Sequence, residues 1–367
     1  MIALLLACSG DKAATDSVPV TDDSGTEETD AWGDIGINTD ENPPDLLSDL
    51  GLMRWDGSAI SYHDEVVPYA LNTALFSDFS LKDRAVWMPA GTEATYTDAG
   101  AVDFPVGTVI LKSFLYADDL RSPTENVRII ETRVLMRGTE EWTAWPYLWQ
   151  ADGSDADLHV SGDVQTIDFI DPYGSPRTAN YLIPQRNQCV DCHDQYDDKG
   201  ERFLLPIGPQ ARTLPAETLA RLTTAATPSG TTSAVDWDAI EANGVDSLSK
   251  SEVVAAARDY LDMNCAHCHS PRGIEGITSQ FFLNHDNEDE FNLGICKRPG
   301  SAGEGGEDRE FDIVPGDPRQ SILWYRTATE DVGAMMPDIG RSLTHDVGAA
   351  LVWRWIAEME PDDCEGE

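Results

Sequence analysis

The sequence predicts an α+β fold in which an antiparallel, β-rich and sandwich-like N-terminal domain precedes a mainly helical region. Between about residues 84 and 181, short apolar runs rich in Val, Ile, Thr and aromatic residues alternate with Gly, Pro, Asp and Asn, which is the pattern of antiparallel strands and turns. From Gln188 onward helical periodicity replaces this pattern. The chain has 367 residues and is 41% hydrophobic, so it can bury a sizeable core.

Residues 1–8 predict a lipoprotein signal. A short apolar run ends in Leu5-Leu6-Ala7-Cys8, which is typical of a bacterial lipobox, although the positively charged start is missing. The alternative is the buried beginning of a domain. Residues 9–43 are polar and acidic, and we expect them to form a disordered tether. No other apolar run reaches the roughly 18 residues that a transmembrane helix needs, so membrane contact is expected only through a lipid anchor at Cys8.

The β-rich domain is expected to occupy residues 44–182. Apolar residues recur at helical spacing over residues 44–56 and predict a short helix there. Runs of alternating or continuous apolar residues then predict the strands, which we place at residues 84–88, 108–116, 127–136, 142–149 and 164–170.

The rest of the chain is expected to form two cofactor-binding segments, residues 183–246 and residues 247–367. Helical periodicity predicts helices at residues 216–225, 236–243, 249–263 and 344–359. The apolar stripe of the third helix leads directly into Cys265.

The charge balance restricts the class of partner. The chain carries 66 acidic and 25 basic residues, a net charge of −41 at pH 7. This charge argues against nucleic acid and against anionic membrane surfaces as partners. It favours protein partners with a basic docking face, and a solubilising acidic surface is the simpler alternative.

Two motifs of the form C-x-x-C-H carry the sharpest signal. The first consists of Cys189, Cys192 and His193, and the second of Cys265, Cys268 and His269. This spacing is the attachment signature of haem c, in which two thiols bond to the porphyrin and the histidine binds the iron. A redox dithiol or half of a zinc site could explain one such motif, but the two lie 76 residues apart without further zinc ligands. We therefore expect two covalently bound haem c groups.

Cys296 and Cys364 remain after the motifs and Cys8 are assigned. In an oxidising compartment an even leftover pair predicts a disulfide, here between a loop and the C-terminus. Two free thiols are the alternative.

Further short motifs accompany the two C-x-x-C-H motifs: Leu71-Asn72-Thr73, Leu75-Phe76-Ser77-Asp78, Phe104-Pro105-Val106-Gly107-Thr108, Pro206-Ile207-Gly208-Pro209, Val314-Pro315-Gly316-Asp317-Pro318, Met335-Met336-Pro337 and Gly340-Arg341-Ser342-Leu343. With these motifs the chain, from about residue 46 to its end, resembles a family of bacterial two-haem c-type cytochrome lipoproteins. The resemblance implies haem binding and electron transfer. It does not imply a particular substrate or partner.

The resemblance and the motifs together suggest the iron ligands. His193 and His269 are the expected proximal ligands. Met336 is the expected distal ligand of the second haem, because class I cytochromes c place a methionine in such a loop and Pro337 fixes it, with Met335 as its competitor. For the first haem, the spacing predicts that the carbonyl of Pro209 accepts from the ring N–H of His193.

The distal ligand of the first haem is left open by the sequence. Met or His is absent between Pro209 and Met263. His267 lies inside the second motif and is expected to point outward, and His345 is expected at the surface. The remaining alternatives are the methionines and histidines elsewhere in the chain, namely His63, Met88, Met136, His159, Met263, His285 and His345.

Three functions are compatible with these observations. An exported di-haem cytochrome, anchored in the periplasm or at the outer membrane, would transfer electrons between redox partner proteins. A di-haem enzyme of the peroxidase or oxidase type, with one open iron, is the alternative. A binding or sensing protein is a third, because the acidic loop at residues 152–157 has spaced carboxylates of the kind that calcium requires.

Overall fold

The computed structural model describes residues 32–73, 75–96, 100–197, 199–224, 232–273, 280–300 and 303–364. From Asp34 onward these residues form one compact unit. Their strands are β1 (Met53–Trp55), β2 (Ile60–Tyr62), β3 (Val66–Pro68), β4 (Leu81–Trp87), β5 (Thr95–Tyr96), β6 (Val102–Asp103), β7 (Val109–Ala117), β8 (Val127–Arg137), β9 (Trp142–Trp149), β10 (Ala156–Leu158), β11 (Asp163–Ile170), β12 (Pro176–Ile183), β13 (Asp194–Tyr196) and β14 (Arg202–Leu204).

A six-stranded antiparallel sheet with the order β10-β9-β8-β7-β4-β3 is the framework of the N-terminal half. The predicted antiparallel β-rich region is confirmed, and the predicted strands coincide with β4, β7, β8, β9 and β11 within a few residues. Continuous apolar runs form these strands because both faces of the sheet are buried. In β7, Val109 and Leu111 belong to one buried cluster, whereas Phe114 and Tyr116 belong to another.

Smaller elements cover the two faces. The β11–β12 hairpin packs Ile167 and Tyr181 against Phe114 and Tyr116 in one shared cluster, which gives the region its sandwich-like layering. On the other side, Leu47, Leu50 and Met53 pack onto the sheet. The helix predicted over residues 44–56 is wrong: a 3-10 turn at Leu47–Leu50 is followed by Gly51, which has φ of 68°, and by β1. Because the sheet buries these residues, packing outweighs their helical spacing.

The predicted tether does not extend through residues 34–43. Ile35 and Ile37 pack against the sheet cluster, and Thr39 is buried and donates to the carbonyl of Arg137 over 2.8 Å. The predicted signal at residues 1–8, including Cys8, lies outside the described residues. Among those described, none of the helices is both long and apolar enough to cross a membrane.

The C-terminal half is mainly helical, as predicted. Its helices in the described residues are α1 (Val190–His193), α2 (Ala216–Leu222), α3 (Trp237–Asn243), α4 (Lys250–Cys265), α5 (Ile322–Ala328) and α6 (Asp346–Ala357). The four predicted helices match α2, α3, α4 and α6, with boundaries that differ by at most three residues.

Helices α4 and α6 form the core of this half. Ser249 and Glu252 make a reciprocal capping box that begins α4. Val253, Ala257 and Leu261 of α4 share a buried cluster with Leu351 and other apolar residues of α6. The predicted disulfide between Cys296 and Cys364 is confirmed and joins a loop to the C-terminal segment.

One loop of the β-rich half connects the two halves. Asp78 is 1% exposed, and its carboxylate accepts hydrogen bonds from the backbone N–H groups of Ser342 and Leu343 over 2.7 and 2.8 Å. The N–H of Phe76 donates to Asn264 Oδ1 over 2.8 Å, directly before the second C-x-x-C-H motif. This loop therefore helps to position the second motif.

Candidate haem sites

The first motif lies on the short helix α1, directly before the β13–β14 hairpin. This hairpin brings Leu205 back beside His193, where the Leu205 N–H donates to the His193 carbonyl over 2.9 Å. Nδ1 of His193 lies 2.7 Å from the carbonyl oxygen of Leu205. The prediction that Pro209 supplies this carbonyl is wrong, because the hairpin returns the chain to His193 four residues earlier. Nδ1 is thus engaged, which leaves Nε2 as the nitrogen that can bind iron.

The second motif lies at the C-terminal end of α4. The N–H of Leu283 donates to the carbonyl of His269 over 2.7 Å, and the His269 ring packs edge-to-face on Phe281 with centroids 5.3 Å apart. Nδ1 of His269 is buried and makes no well-aligned hydrogen bond within the described part of the chain. The Phe281 backbone is a poorly aligned partner for this ring, and a poorly satisfied buried nitrogen is costly in a plain core, which indicates that this imidazole has a further partner.

Each motif lines its own cavity. The first cavity, of about 140 Å³, contains Cys189, Cys192 and His193. The second, of about 790 Å³, contains Cys265, Cys268, His269 and Met336. The second volume lies within the range of about 300 to 1,000 Å³ of small-molecule sites, and the first is smaller. The two cavities adjoin, because both are lined by Cys192, His267 and Pro337.

The two motifs touch each other directly. Sγ of Cys268 lies 3.5 Å from the backbone oxygen of Asp191, which is part of the first motif. Nε2 of Gln195 donates to the carbonyl of His267 over 3.0 Å, and the N–H of Tyr196 donates to the backbone carbonyl of Arg272 over 3.0 Å. Chain segments 76 residues apart in sequence therefore form one site with two cavities.

Burial keeps the four motif thiols protonated. It raises the pKa of Cys192 to about 11 and the pKa values of Cys265 and Cys268 to about 12, because a thiolate loses its hydration there. Burial also raises the pKa of Cys189. All four cysteines are free of disulfides. A reactive redox dithiol has a lowered thiol pKa instead, so these environments do not favour the dithiol interpretation.

The three histidines of the motifs are neutral at neutral pH. Burial lowers the pKa of His193 to about 4, an effect that the Leu205 carbonyl partly offsets. Burial likewise lowers the pKa of His269 to about 4, partly offset by the Phe281 backbone, and that of His267 to about 3. A neutral imidazole is the form that binds a metal ion.

Met336 faces the same cavity as His269, whereas Met335 is not among the residues that line it. The Met336 N–H donates to the carbonyl of Arg326 over 2.8 Å, and its own carbonyl accepts from Nε of Arg341 over 3.0 Å. The peptide bond between Met336 and Pro337 is cis.

Arg341 organises the whole methionine loop, a role that the sequence analysis missed. It is 7% exposed. Its guanidinium donates over 3.0 to 3.3 Å to the backbone carbonyls of Met336, Leu343, Arg326, Thr327 and Thr329. The Gly340-Arg341-Ser342-Leu343 motif was recognised in the sequence, but the five carbonyl groups that accept from Arg341 could not be predicted from it.

The first cavity also holds basic side chains in an otherwise acidic protein. Arg84, Lys112 and Arg133 all line it. Arg133 pairs with the fully buried Glu131 over 2.5 Å, whereas Arg84 and Lys112 have no carboxylate partner within the described residues. Arg84 is 7% exposed and its Nη2 is buried without a hydrogen bond. Burial lowers the pKa values of Arg84 and Lys112, so this cavity is suited to an anionic ligand.

Most residues considered as the distal ligand of the first haem lie away from both cavities. The expectation that His345 is a surface residue is wrong: it is 7% exposed, stacks on Phe76 at 4.3 Å and lies 2.8 Å from Glu241. The expectation that His267 points outward is also wrong, since its side chain lines both cavities. Of the seven candidates, Met263 alone lines the first cavity; the six outside both cavities are His63, Met88, Met136, His159, His285 and His345.

The residues present fit covalently attached haem. The donor set is a pair of thiols and an imidazole at each cavity, and the buried Nδ1 atoms of His267 and His269 make no well-aligned hydrogen bond among the described residues. The unpaired Arg84 and Lys112 match the propionate groups of a porphyrin at the first cavity. Because the first cavity is small, its lining must separate to admit a porphyrin.

Comparison with protein-family models, with curated proteins and with solved structures produced no match for this chain.

Proposed function

We propose that this protein is a di-haem c-type cytochrome that transfers electrons between redox partner proteins. The observation that carries the proposal is the direct contact between the two C-x-x-C-H motifs, at 3.5 Å between Cys268 Sγ and the Asp191 carbonyl. Two cofactor sites that share lining residues are suited to passing an electron from one site to the other. A pair of independent binding sites has no need of this contact.

The residues have distinct tasks in this proposal. Cys189 and Cys192 hold one haem and Cys265 and Cys268 the other, through thioether bonds. When bound, the haems supply reversible one-electron chemistry between ferric and ferrous iron. The chain contributes the axial ligands His193, His269 and Met336, and it orients them through backbone contacts.

Electrostatics around the two sites differ. At the first cavity, the guanidinium of Arg84 provides positive charge that stabilises the reduced state, whereas burial lowers the pKa of Lys112 well below its usual value. At the second cavity, Asp312 is buried and lies near Arg326. A thioether ligand from Met336 favours ferrous iron and a high potential. These charges alone favour reduction of the first haem, but we expect the thioether ligand to outweigh them, so that the second haem is the final acceptor within the protein.

The disulfide and the net charge support a location in the cell and a class of partner. A disulfide between Cys296 and Cys364 supports an oxidising compartment, and we propose export to the periplasm or outer membrane with a lipid anchor at Cys8. The net charge of −41 supports redox partners with a basic docking face.

Haem stoichiometry tests the proposal. Holoprotein produced with a cytochrome c maturation system should contain two covalently bound haems per chain by mass and by pyridine haemochrome absorbance. The double variant Cys189→Ala/Cys192→Ala should lose one haem, and Cys265→Ala/Cys268→Ala the other. The matched control Cys296→Ser/Cys364→Ser removes two cysteines elsewhere and should retain both haems. A wild-type chain that carries one haem or none would overturn the proposal.

A second test separates electron transfer from the enzyme alternative. An electron carrier should take up two electrons in successive one-electron steps and should not turn over hydrogen peroxide. Rapid peroxide turnover with a reduced electron donor would instead support a di-haem peroxidase.

A further inference from the structure

The second motif contains a histidine between its two cysteines, and this residue, His267, has no role in attaching the second haem. Covalent attachment uses Cys265 and Cys268, and the proximal histidine is His269. The side chain of His267 nevertheless lines the first cavity together with His193. It therefore presents an imidazole to the haem site that belongs to the other motif.

The ring of His267 has at most one backbone partner, the carbonyl of Met263, so one of its two ring nitrogens is left for a ligand. Its Nδ1 is buried and makes no well-aligned hydrogen bond, and the Met263 backbone is the one hydrogen-bonding group found beside the ring among the described residues. By contrast, both ring nitrogens of the buried His345 have partners, Tyr260 at 3.3 Å and Glu241 at 2.8 Å. A buried ring nitrogen without a partner costs free energy on the order of 1 to 3 kcal/mol, and a ligand at the remaining nitrogen of His267 offsets this cost.

The backbone of His267 is fixed next to the first motif. Its carbonyl accepts from Nε2 of Gln195 over 3.0 Å, and Gln195 lies only two residues after His193. The neighbouring contact between Cys268 Sγ and the Asp191 carbonyl also joins the second motif to the first. Residues of the second motif are thus held within the first site by contacts of His267 itself and of the next residue, Cys268.

Met263 is the competitor of His267 as distal ligand of the first haem. Of the seven residues considered for this role from the sequence, it is the one that lines the first cavity. It is 1% exposed on helix α4. Its thioether is apolar enough for core packing alone to account for this burial. His267, in contrast, is a polar group whose burial packing does not explain.

We propose that His267 is the distal axial ligand of the haem bound at the first motif. This inference rests on the proposed function, since it assigns a ligand to a haem that the function requires. The second motif then serves both haems: His269 binds its own iron and His267 binds the neighbouring iron. The first haem has two imidazole ligands and no open position, which removes the open iron that a peroxidase needs. Bis-imidazole ligation also places its potential below that of the methionine-ligated second haem.

Spin state tests this assignment. In the oxidised holoprotein, electron paramagnetic resonance should show two low-spin haems. His267→Ala should convert one of the two to high spin while the haem count stays at two per chain. Added imidazole should restore the low-spin signal. Met263→Leu, which removes the competing thioether, should leave both haems low-spin.

Two outcomes would overturn the assignment. One is a His267→Ala protein in which both haems remain low-spin, and the other is loss of a low-spin haem in Met263→Leu. If His267→Ala does not mature, His267→Met replaces it: the assignment then requires a second thioether-to-iron charge-transfer band in the near infrared, and its absence counts against His267. A wild-type chain without two haems would overturn the proposed function itself. The haem count therefore tests the function, and the spin state of the variants tests the ligand assignment.

Discussion

Sγ of Cys268 lies 3.5 Å from the backbone oxygen of Asp191, so the two C-x-x-C-H motifs are in direct contact. His267, a residue of the second motif, lines both cavities. This arrangement makes the two proposed haem sites neighbours within one compact unit.

Arg84 should raise the potential of the first haem. It is buried at the first cavity, and its Nη2 has no hydrogen-bond partner among the described residues. Loss of its positive charge in Arg84→Gln should stabilise the ferric state and lower the potential by on the order of 40 mV, which corresponds to about 1 kcal/mol for one electron. Spectroelectrochemical titration measures this shift. Arg221→Gln, an exposed arginine of α2, is the control and should leave both potentials unchanged.

Arg341 should hold Met336 in its position for ligation. Arg341→Lys keeps the positive charge but cannot reproduce the planar guanidinium that reaches five carbonyls. We expect the thioether-to-iron charge-transfer band to weaken and the free energy of unfolding to fall by about 2 kcal/mol. Near-infrared absorbance and urea denaturation provide the two readouts. The exposed Arg298 supplies the control variant Arg298→Lys, for which neither quantity should change; an intact band in Arg341→Lys would refute the role.

Asp312 should make the potential of the second haem depend on pH. Burial raises the pKa of this carboxyl to about 7, and Lys297 and Arg326 partly offset the effect. The carboxylate stabilises ferric iron relative to ferrous iron, so the potential should be higher below pH 7 and should fall as the pH rises through 7. Asp312→Asn should remove this step.

The same raised pKa makes a stability prediction with a defined sign. Because the folded-state pKa of Asp312 lies above its usual value of 3.8, its contribution to stability is present at low pH and is lost as the pH rises through about 7. The difference in unfolding free energy between wild type and Asp312→Asn should therefore change between pH 3.8 and about pH 7. Glu310→Gln, at an exposed ion pair with Arg298, is the control and should follow wild type. A pH-independent difference would count against a buried titrating carboxyl.

The disulfide between Cys296 and Cys364 should stabilise the fold without affecting haem attachment. It closes a loop with a sequence separation of 68 residues, for which the chain-entropy relation gives about 4 kcal/mol as an upper value. Cys296→Ser/Cys364→Ser should lower the free energy of unfolding by up to about this amount and keep the visible spectrum unchanged. Loss of a haem in this variant would mean that the disulfide supports a haem site as well.

Local patterns allowed the elements, but not their long-range contacts, to be predicted from the sequence. Strands such as β8 and helices such as α4 were predictable because apolar spacing and capping residues are local. The helix expected over residues 44–56 was wrong because packing against the sheet decides that segment. The motif cysteines and histidines were recognisable because C-x-x-C-H spacing is itself local.

Contacts between distant segments account for what the sequence did not reveal. The Asp78 carboxylate bonds to Ser342 and Leu343 more than 260 residues away. Burial of His345 depends on Phe76, and the position of His267 depends on Gln195. Such pairs have no periodic signal in the chain. His345 and His267 were therefore expected to face outward, whereas His345 is buried and His267 lines the two cavities.

The central claim is that two neighbouring haems exchange electrons within one chain, and rapid one-electron reduction tests it most directly. After a pulse that reduces a small fraction of the haems, their absorbance should redistribute from the first haem to the second. We expect a rate that does not change when the protein is diluted, as required for transfer within a molecule. A redistribution rate proportional to protein concentration, or reduction of one haem only, would contradict the account.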